Sequence, residues 1–168
     1  MSQRYRRYSL KSKSVKVILN EVSERLKVNV EAFFGSKVNV EVAEADFGQI
    51  YLVNGKPLFF NAGAKTLPTL LFQEFTAQAP KVVVDMGAVP YVCKGADVMA
   101  PGIVRIEGNF AKGDLVLVID EKHGKALALC ESLYDSETAR SAKQGAVFKN
   151  LHFVSDKIWN LVKTLADR

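Results

Sequence analysis

The 168-residue chain has little cysteine, histidine, proline or tryptophan, and each scarcity closes off a class of protein. Cys93 and Cys130 stand far apart without a CxxC pair, and His123 and His152 lie in separate segments, so clustered ligands for a tetrahedral metal site are missing. No metal and no cofactor is expected. Both cysteines sit in apolar contexts, Tyr-Val-Cys and Leu-Ala-Leu-Cys, as reduced core thiols do. Eleven glycines and five prolines are too few for a collagen-like or low-complexity chain. The longest apolar runs, such as Leu115 to Ile119, are strand-sized, and no membrane partner is expected. Met1 leads into Ser-Gln-Arg-Tyr-Arg-Arg with no apolar stretch before a cleavage site, so the expected location is cytoplasmic.

Catalytic signatures are missing as well: there is no GxGxxG, GxSxG or HExxH. Asp46-Phe47-Gly48 spells a magnesium-holding tripeptide without the companion loop such a site needs. Gly63-Ala64-Lys65-Thr66 resembles the end of a phosphate-binding loop but lacks its glycines. Cys93 and His152 have no spacing that marks a nucleophile and its base. The chain is read as a non-enzyme with no catalytic residue.

Against these absences stand an apolar fraction of 48% and a net charge of +5. A chain of this length buries roughly 70% of its unfolded surface and folds without staples. The charge is unevenly placed. Arg4, Arg6, Arg7, Lys11 and Lys13 carry the whole excess within residues 1–13, and the rest of the chain balances to zero. Guanidinium forks interleaved with Tyr5 and Tyr8 match phosphate oxygens and exposed bases, so residues 1–13 are read as a basic arm that contacts nucleic acid.

Val15, Ile18, Val22 and Leu26 recur at helical spacing and predict an amphipathic helix over 13–27. Val38 to Val42 alternates as a strand. Gln49–Val53 and Lys56–Phe60 flank Asn54-Gly55, whose tolerance of positive φ predicts a type I′ hairpin. Pro68 is placed at the start of a short helix carrying Leu70, Leu71, Phe72 and Phe75. Ala79-Pro80 closes this first α+β unit. Beyond it, strands are expected at Lys81–Asp85, Met99–Ile106, Leu115–Ile119, Lys125–Cys130 and Val147–Val154, with a short helix ending near Cys93. Short strands with glycine turns predict a small, strongly bent barrel. Asp85 and Asp156 are read as helix caps, and Ser155-Asp156 opens a last helix carrying Trp159. Tyr91, Met99 and His152 are placed inside by the usual burial of such side chains.

One stretch is more specific. Val84-Asp85-Met86-Gly87-Ala88, the apolar segment to Cys93, Lys94-Gly95-Ala96-Asp97 and Met99-Ala100-Pro101-Gly102 resemble the opening of the PUA domain, an RNA-binding module. Lys125 to Cys130 and Gly145 to Trp159 follow in the order that domain requires. The last block, with Pro68-Thr69-Leu70, is similar to stand-alone archaeal PUA proteins and their eukaryotic relative, the malignant T-cell-amplified-sequence translation factor. The resemblance is good over 66–160 and looser over 4–65. It implies an α+β chain, with an N-terminal pre-PUA domain over 1–78 and a PUA pseudo-barrel with its C-terminal helix over 79–168. It further implies RNA held between the short helix and the following strand, beside Lys94, Gly95, Ala96, Asp97, Met99, Pro101 and Gly102, with Lys149 and Asn150 as outer candidates. The implied role is recognition of structured RNA, either the acceptor stem and CCA end of tRNA or rRNA, in translation. The ribosome or an initiation-factor-like protein would be the partner. Alternatives are an RNA-targeting subunit of a modifying enzyme and a ribosome-associated interaction module.

Overall fold

The computed structural model describes residues 4–35, 37–63 and 65–167. The chain forms two compact units, Met1–Phe75 with Asn160–Arg168, and Thr76–Trp159. The two units divide between Phe75 and Thr76, and the residues from Asn160 onward group with the first.

In the first unit a five-stranded antiparallel sheet runs in chain order through β1 (Arg6–Ser9), β2 (Val40–Ala45), β3 (Gly48–Val53), β4 (Lys56–Asn61) and β5 (Thr66–Pro68). Helix α1 (Ser12–Leu26) buries Val15, Leu19 and Val22, with Ile18 and Leu26 packed at the edge of the same core. A single helical turn, α2 (Glu31–Phe34), adds Phe34, and Phe59 meets Phe72 edge-on at 5.1 Å between ring centres. Asn54 and Gly55 take φ of 51° and 86°, the two left-handed conformations a type I′ turn demands. Asp46 and Phe47 form the β2–β3 turn, and a Cβ on Gly48 would collide with the Asn61 carbonyl. That close approach explains the tripeptide. Ala64 of the other tested motif lies outside the described residues.

Two expectations fail here for physical reasons. Residues 6–9 are not an arm but strand β1, paired antiparallel with β2 so that Arg6 stands opposite Glu44 and Tyr8 opposite Val42. Segment-by-segment charge counting missed the acidic strand that the sheet brings alongside. Pro68 does not open a helix; it ends β5 opposite Phe59, on an edge strand where its missing N–H costs no ladder bond. Thr69 then turns the chain, donating its N–H to the Leu58 carbonyl and its hydroxyl to that of Pro57. The helix that follows, α3 (Gln73–Gln78), starts later than expected.

The second unit holds a six-stranded sheet in the order β7-β11-β10-β9-β6-β8. Its strands are β6 (Lys81–Val84), β7 (Val98–Met99), β8 (Ile103–Glu107), β9 (Leu115–Asp120), β10 (Ala126–Ser132) and β11 (Ala146–Phe153). All neighbours pair antiparallel except β6 with β9. One strand was expected over 99–106; instead Ala100–Gly102 form a 3₁₀ turn that separates β7 from β8, so the two lie at opposite edges of the sheet. The core gathers Val82, Val84, Val116, Val118, Cys130, Val147 and Phe148.

Cys130 is fully buried, and burial pushes its thiol pKa up, as it does to a smaller degree for the half-buried Cys93. Helix α4 (Val89–Val92) is the expected short helix. Helix α5 (Ser136–Ser141) has no counterpart in the sequence reading, because six polar-rich residues show no apolar period; Asp135 caps it, accepting the Thr138 N–H at 2.8 Å. Helix α6 (Lys157–Ala166) begins at Asp156, which accepts the Trp159 N–H at 2.6 Å and meets the buried His152 Nδ1 at 2.8 Å. The interior imidazole and the Asp156 cap are as the sequence implied; Asp85 instead caps the turn before α4, whose own N-cap is Ala88 without a side-chain bond.

Candidate functional site

A groove of about 380 Å³ opens beside α4. Its geometry follows from a short run of backbone constraints. At the end of β6, Asp85 donates its N–H to the Gly102 carbonyl and accepts the Ala88 N–H on Oδ1 at 2.9 Å, which starts the turn into α4. The helix stops after one turn, where Gly95 takes a φ of +98°. A Cβ there would also lie 3.0 Å from the Phe153 ring, so glycine is required twice over. On the opposite wall Gly102 lets the Pro101 turn approach α4, since its Cβ would stand 3.1 Å from that of Ala88.

Asn150 on β11 ties these parts together. Its side-chain amide donates to the carbonyls of Val92 and Ala96, both at 3.0 Å, and its backbone N–H donates to Asp97 Oδ1 at 2.9 Å. Val98 and Met99 then pair with Phe148 and Ala146, which fixes the groove's far side to the sheet.

Ala96, Asp97, Met99, Pro101 and Gly102 all line this groove, so five of the expected residues come together. Lys94 and Gly95 lie in the adjoining turn and do not line it; Lys94 is exposed, while Gly95 is covered by Phe153. Lys149 is exposed beside Phe148, the Cα partner of Val98. Asn150 spends both its amide hydrogens on the α4 turn and so clamps it.

Usual burial placed Tyr91 and Met99 inside while the family resemblance put Met99 beside RNA; Tyr91 is 67% exposed and Met99 50%. Their alternation with buried Val92 and Val98 was the available signal. Asp85, Gly87 and Ala88, also in the lining, were read only as helix start.

The five basic residues expected within 1–13 divide into two groups. Arg6 pairs with Glu44 at 2.8 Å, and Arg7 grips Glu41 through Nε at 2.9 Å and Nη2 at 3.1 Å. The hydrogen bond to Glu44 raises the Arg6 pKa, that to Glu41 raises the Arg7 pKa, and Arg7 in turn lowers that of Glu41. These two guanidinium groups are committed to the sheet. Arg4, Lys11 and Lys13 are exposed. Among the described residues no group of three or more His, Cys, Asp or Glu side chains forms a metal site, and no helix is long and apolar enough to cross a membrane.

An α+β chain with a half-barrel sheet, a one-turn helix and a glycine-walled groove defines a PUA-containing protein. Residues 80–154 match the PUA domain model, and residues 6–73 match a domain of unknown function, DUF1947. An uncharacterised protein of Methanocaldococcus jannaschii is 41% identical over 92% of this chain and 96% of its own length. Translation machinery-associated protein 20 of Saccharomyces cerevisiae is 30% identical over 78% of this chain and 77% of its own. A crystal structure of a hypothetical protein from Pyrococcus horikoshii superimposes with a TM-score of 0.76 at 32% identity, over 94% of this chain and 99% of that one. The chain belongs to the PUA-domain family of which the Methanocaldococcus jannaschii protein and translation machinery-associated protein 20 are members, and malignant T-cell-amplified sequence 1 of Danio rerio is 30% identical over 67% of this chain and 65% of its own length.

Proposed function

We propose that this protein binds structured RNA without catalysis and acts in translation, with the acceptor stem and CCA end of tRNA as the target and rRNA as the rival. The observation that carries this reading is the groove beside α4, where Tyr91 and Met99 stand exposed over a rigid, glycine-walled floor. Exposed aromatic rings beside close-approach glycines suit unstacked bases. The relative named for the translation machinery supports the cellular setting, the cytoplasm, and a ribosomal or initiation-factor-like partner.

In this reading residues 1–78 serve as the pre-PUA domain and residues 79–168 as the PUA domain with its closing helix. Ala96, Asp97, Met99, Pro101 and Gly102 meet the RNA end directly. Lys94 and Lys149 take phosphates next to the groove, and Arg4, Lys11 and Lys13 take phosphates further along. Gly95 shapes the turn. Arg6 and Arg7 hold β1 to β2.

A salt titration of tRNA binding, with and without the CCA end, tests the reading. Deleting residues 1–13 would remove β1, so the arm is probed by Arg4, Lys11 and Lys13 each changed to alanine. The triple variant should flatten the slope of log K against log salt by up to about two to three units, near one for each phosphate no longer neutralised. Affinity for the intact CCA end should persist in that variant and fall when the end is removed. Absence of tRNA binding even at low salt refutes the tRNA assignment, and the same titration on rRNA fragments then decides whether RNA is the ligand at all.

A further inference from the structure

The sheet of the second unit ends in an open edge at β8. That strand is last in the sheet order and pairs with β6 alone. Among the described residues no other backbone group bonds to residues 104–107, so the N–H and C=O groups on their outer side have no strand partner. Val104 is 46% exposed on this edge. Arg105 and Glu107 pair with each other, Nε to Oε2 at 3.2 Å, and both are well exposed, so little energy holds them together.

A second groove, of about 300 Å³, runs beside this edge. One wall is β8, and the other is α5 with the residues that follow it. The lining is aliphatic apart from two guanidinium groups, Arg105 and Arg140, and among its described residues it holds no carboxylate. Arg140 is anchored at the end of β8, donating from Nη1 to Asn109 Oδ1 at 3.3 Å and from Nη2 to the Gly108 carbonyl. A guanidinium carries five N–H donors, so both arginines keep donors for an incoming acceptor, in the fork geometry that fits a carboxylate. Glu137 on α5 and Lys143 beyond it are exposed and lie outside the lining.

We infer that this edge docks a protein partner, which adds an extended acidic segment to β8 as a further strand. Alternate side chains of such a strand share one face, so acidic residues at every second position reach the two arginines while the main chain pairs with β8. Nucleic acid suits the groove less well: the lining has no aromatic ring for a base, and outward carbonyl groups repel phosphates. The groove shares no lining residue with the one beside α4, so the inference stands apart from the RNA reading.

The test uses the full chain and a capped peptide of alternating glutamate and valine, about seven residues long to cover β8. The control is the matching lysine–valine peptide. The acidic peptide should shift the amide resonances of residues 104–107 and slow their hydrogen exchange. Arg105→Glu should weaken it about tenfold, because an exposed attraction becomes a repulsion. Arg140→Lys, with the urea midpoint as folding control, should weaken it less. On unaltered protein, N-methylation of the peptide amides that face β8 should abolish binding, and methylation of the alternate set should not. Equal affinity for the lysine–valine peptide, or for Arg105→Glu, overturns the inference. So does an equal response to the two methylated sets, which leaves ion pairing without a strand. Failure of the acidic peptide to bind at low salt overturns it outright. An RNA stem that shifts residues 104–107 where the peptide does not also overturns it, and assigns the groove to nucleic acid.

Discussion

Changing Asn150 to alanine separates a structural role from a contact role at a position the sequence marks as RNA-facing. Its amide makes two hydrogen bonds, to the carbonyls of Val92 and Ala96, both at 3.0 Å. A typical buried bond of this kind contributes about 0.5–1.5 kcal/mol net, and an acceptor left without a donor in a partly buried place costs toward the upper end. Losing both should therefore destabilise the second unit by about 2 kcal/mol. With a urea dependence of about 1–3 kcal/mol per molar for a domain of this size, the midpoint should fall by about 1 M with an unchanged slope. The readout is urea unfolding followed by circular dichroism, paired with a tRNA titration on the folded fraction.

Lys149→Ala is the contrasting neighbour. Its side chain is exposed, so it should leave the midpoint alone and lower the salt dependence of binding by about one unit. Asn150→Asp should be worse than alanine, because a carboxylate then faces two carbonyl oxygens. An Asn150→Ala midpoint within about 0.3 M of wild type, together with a binding loss matching that of Lys149→Ala, would refute the clamp and restore Asn150 to the RNA contacts.

Three further outcomes follow from the geometry. Gly95→Ala must adopt a φ of +98° and press on the Phe153 ring at 3.0 Å, so it should cost at least about 1 kcal/mol in thermal or urea unfolding, and part of that should return when Phe153 is also shortened to leucine. Asp120 is buried and accepts the N–H groups of Lys122, His123 and Lys125, chiefly that of His123, which lowers its pKa below the ordinary aspartate value. Its stabilising contribution is therefore complete above about pH 5 and lost as pH falls through the lowered value, so the stability gap between wild type and Asp120→Asn should be constant near neutrality and narrow under acid. Arg7→Glu should destabilise the first unit by about 1 kcal/mol through like charges across β1 and β2, and Glu41→Arg in the same chain should restore it, measured by a double-mutant cycle in urea.

What the sequence disclosed and what it withheld divide along the range of the interaction involved. Asn54-Gly55 specified its hairpin because positive φ at two successive residues is a property of those two residues alone. Val15, Ile18, Val22 and Leu26 marked α1 by a period that a linear reading can count. The cap at Asp156 and the Asp85 turn before α4 were equally local, each spanning three residues. The ion pairs of Arg6 and Arg7 were not legible because Glu44 and Glu41 lie more than thirty positions away and only strand pairing brings them alongside.

The same logic explains the groove. The residues of its two walls lie close in the chain, and their motif was readable. What holds them in place, Asn150 and Phe153, arrives from β11 more than fifty residues later, and a motif gives no sign of whether such a side chain faces ligand or scaffold. Charge is the sharper case. The second unit balances to zero, which on composition alone counts against RNA, yet a neutral total says nothing about where the cations stand. In the structure the groove excludes them, while Lys94 and Lys149 are exposed next to it in the chain and in the sheet register. Under the proposed function, an RNA binder arranged this way draws its salt dependence from the surrounding surface and not from the groove. Lys94→Ala should therefore lower the salt slope of tRNA binding by about one unit, whereas a substitution confined to the groove lining should leave that slope unchanged.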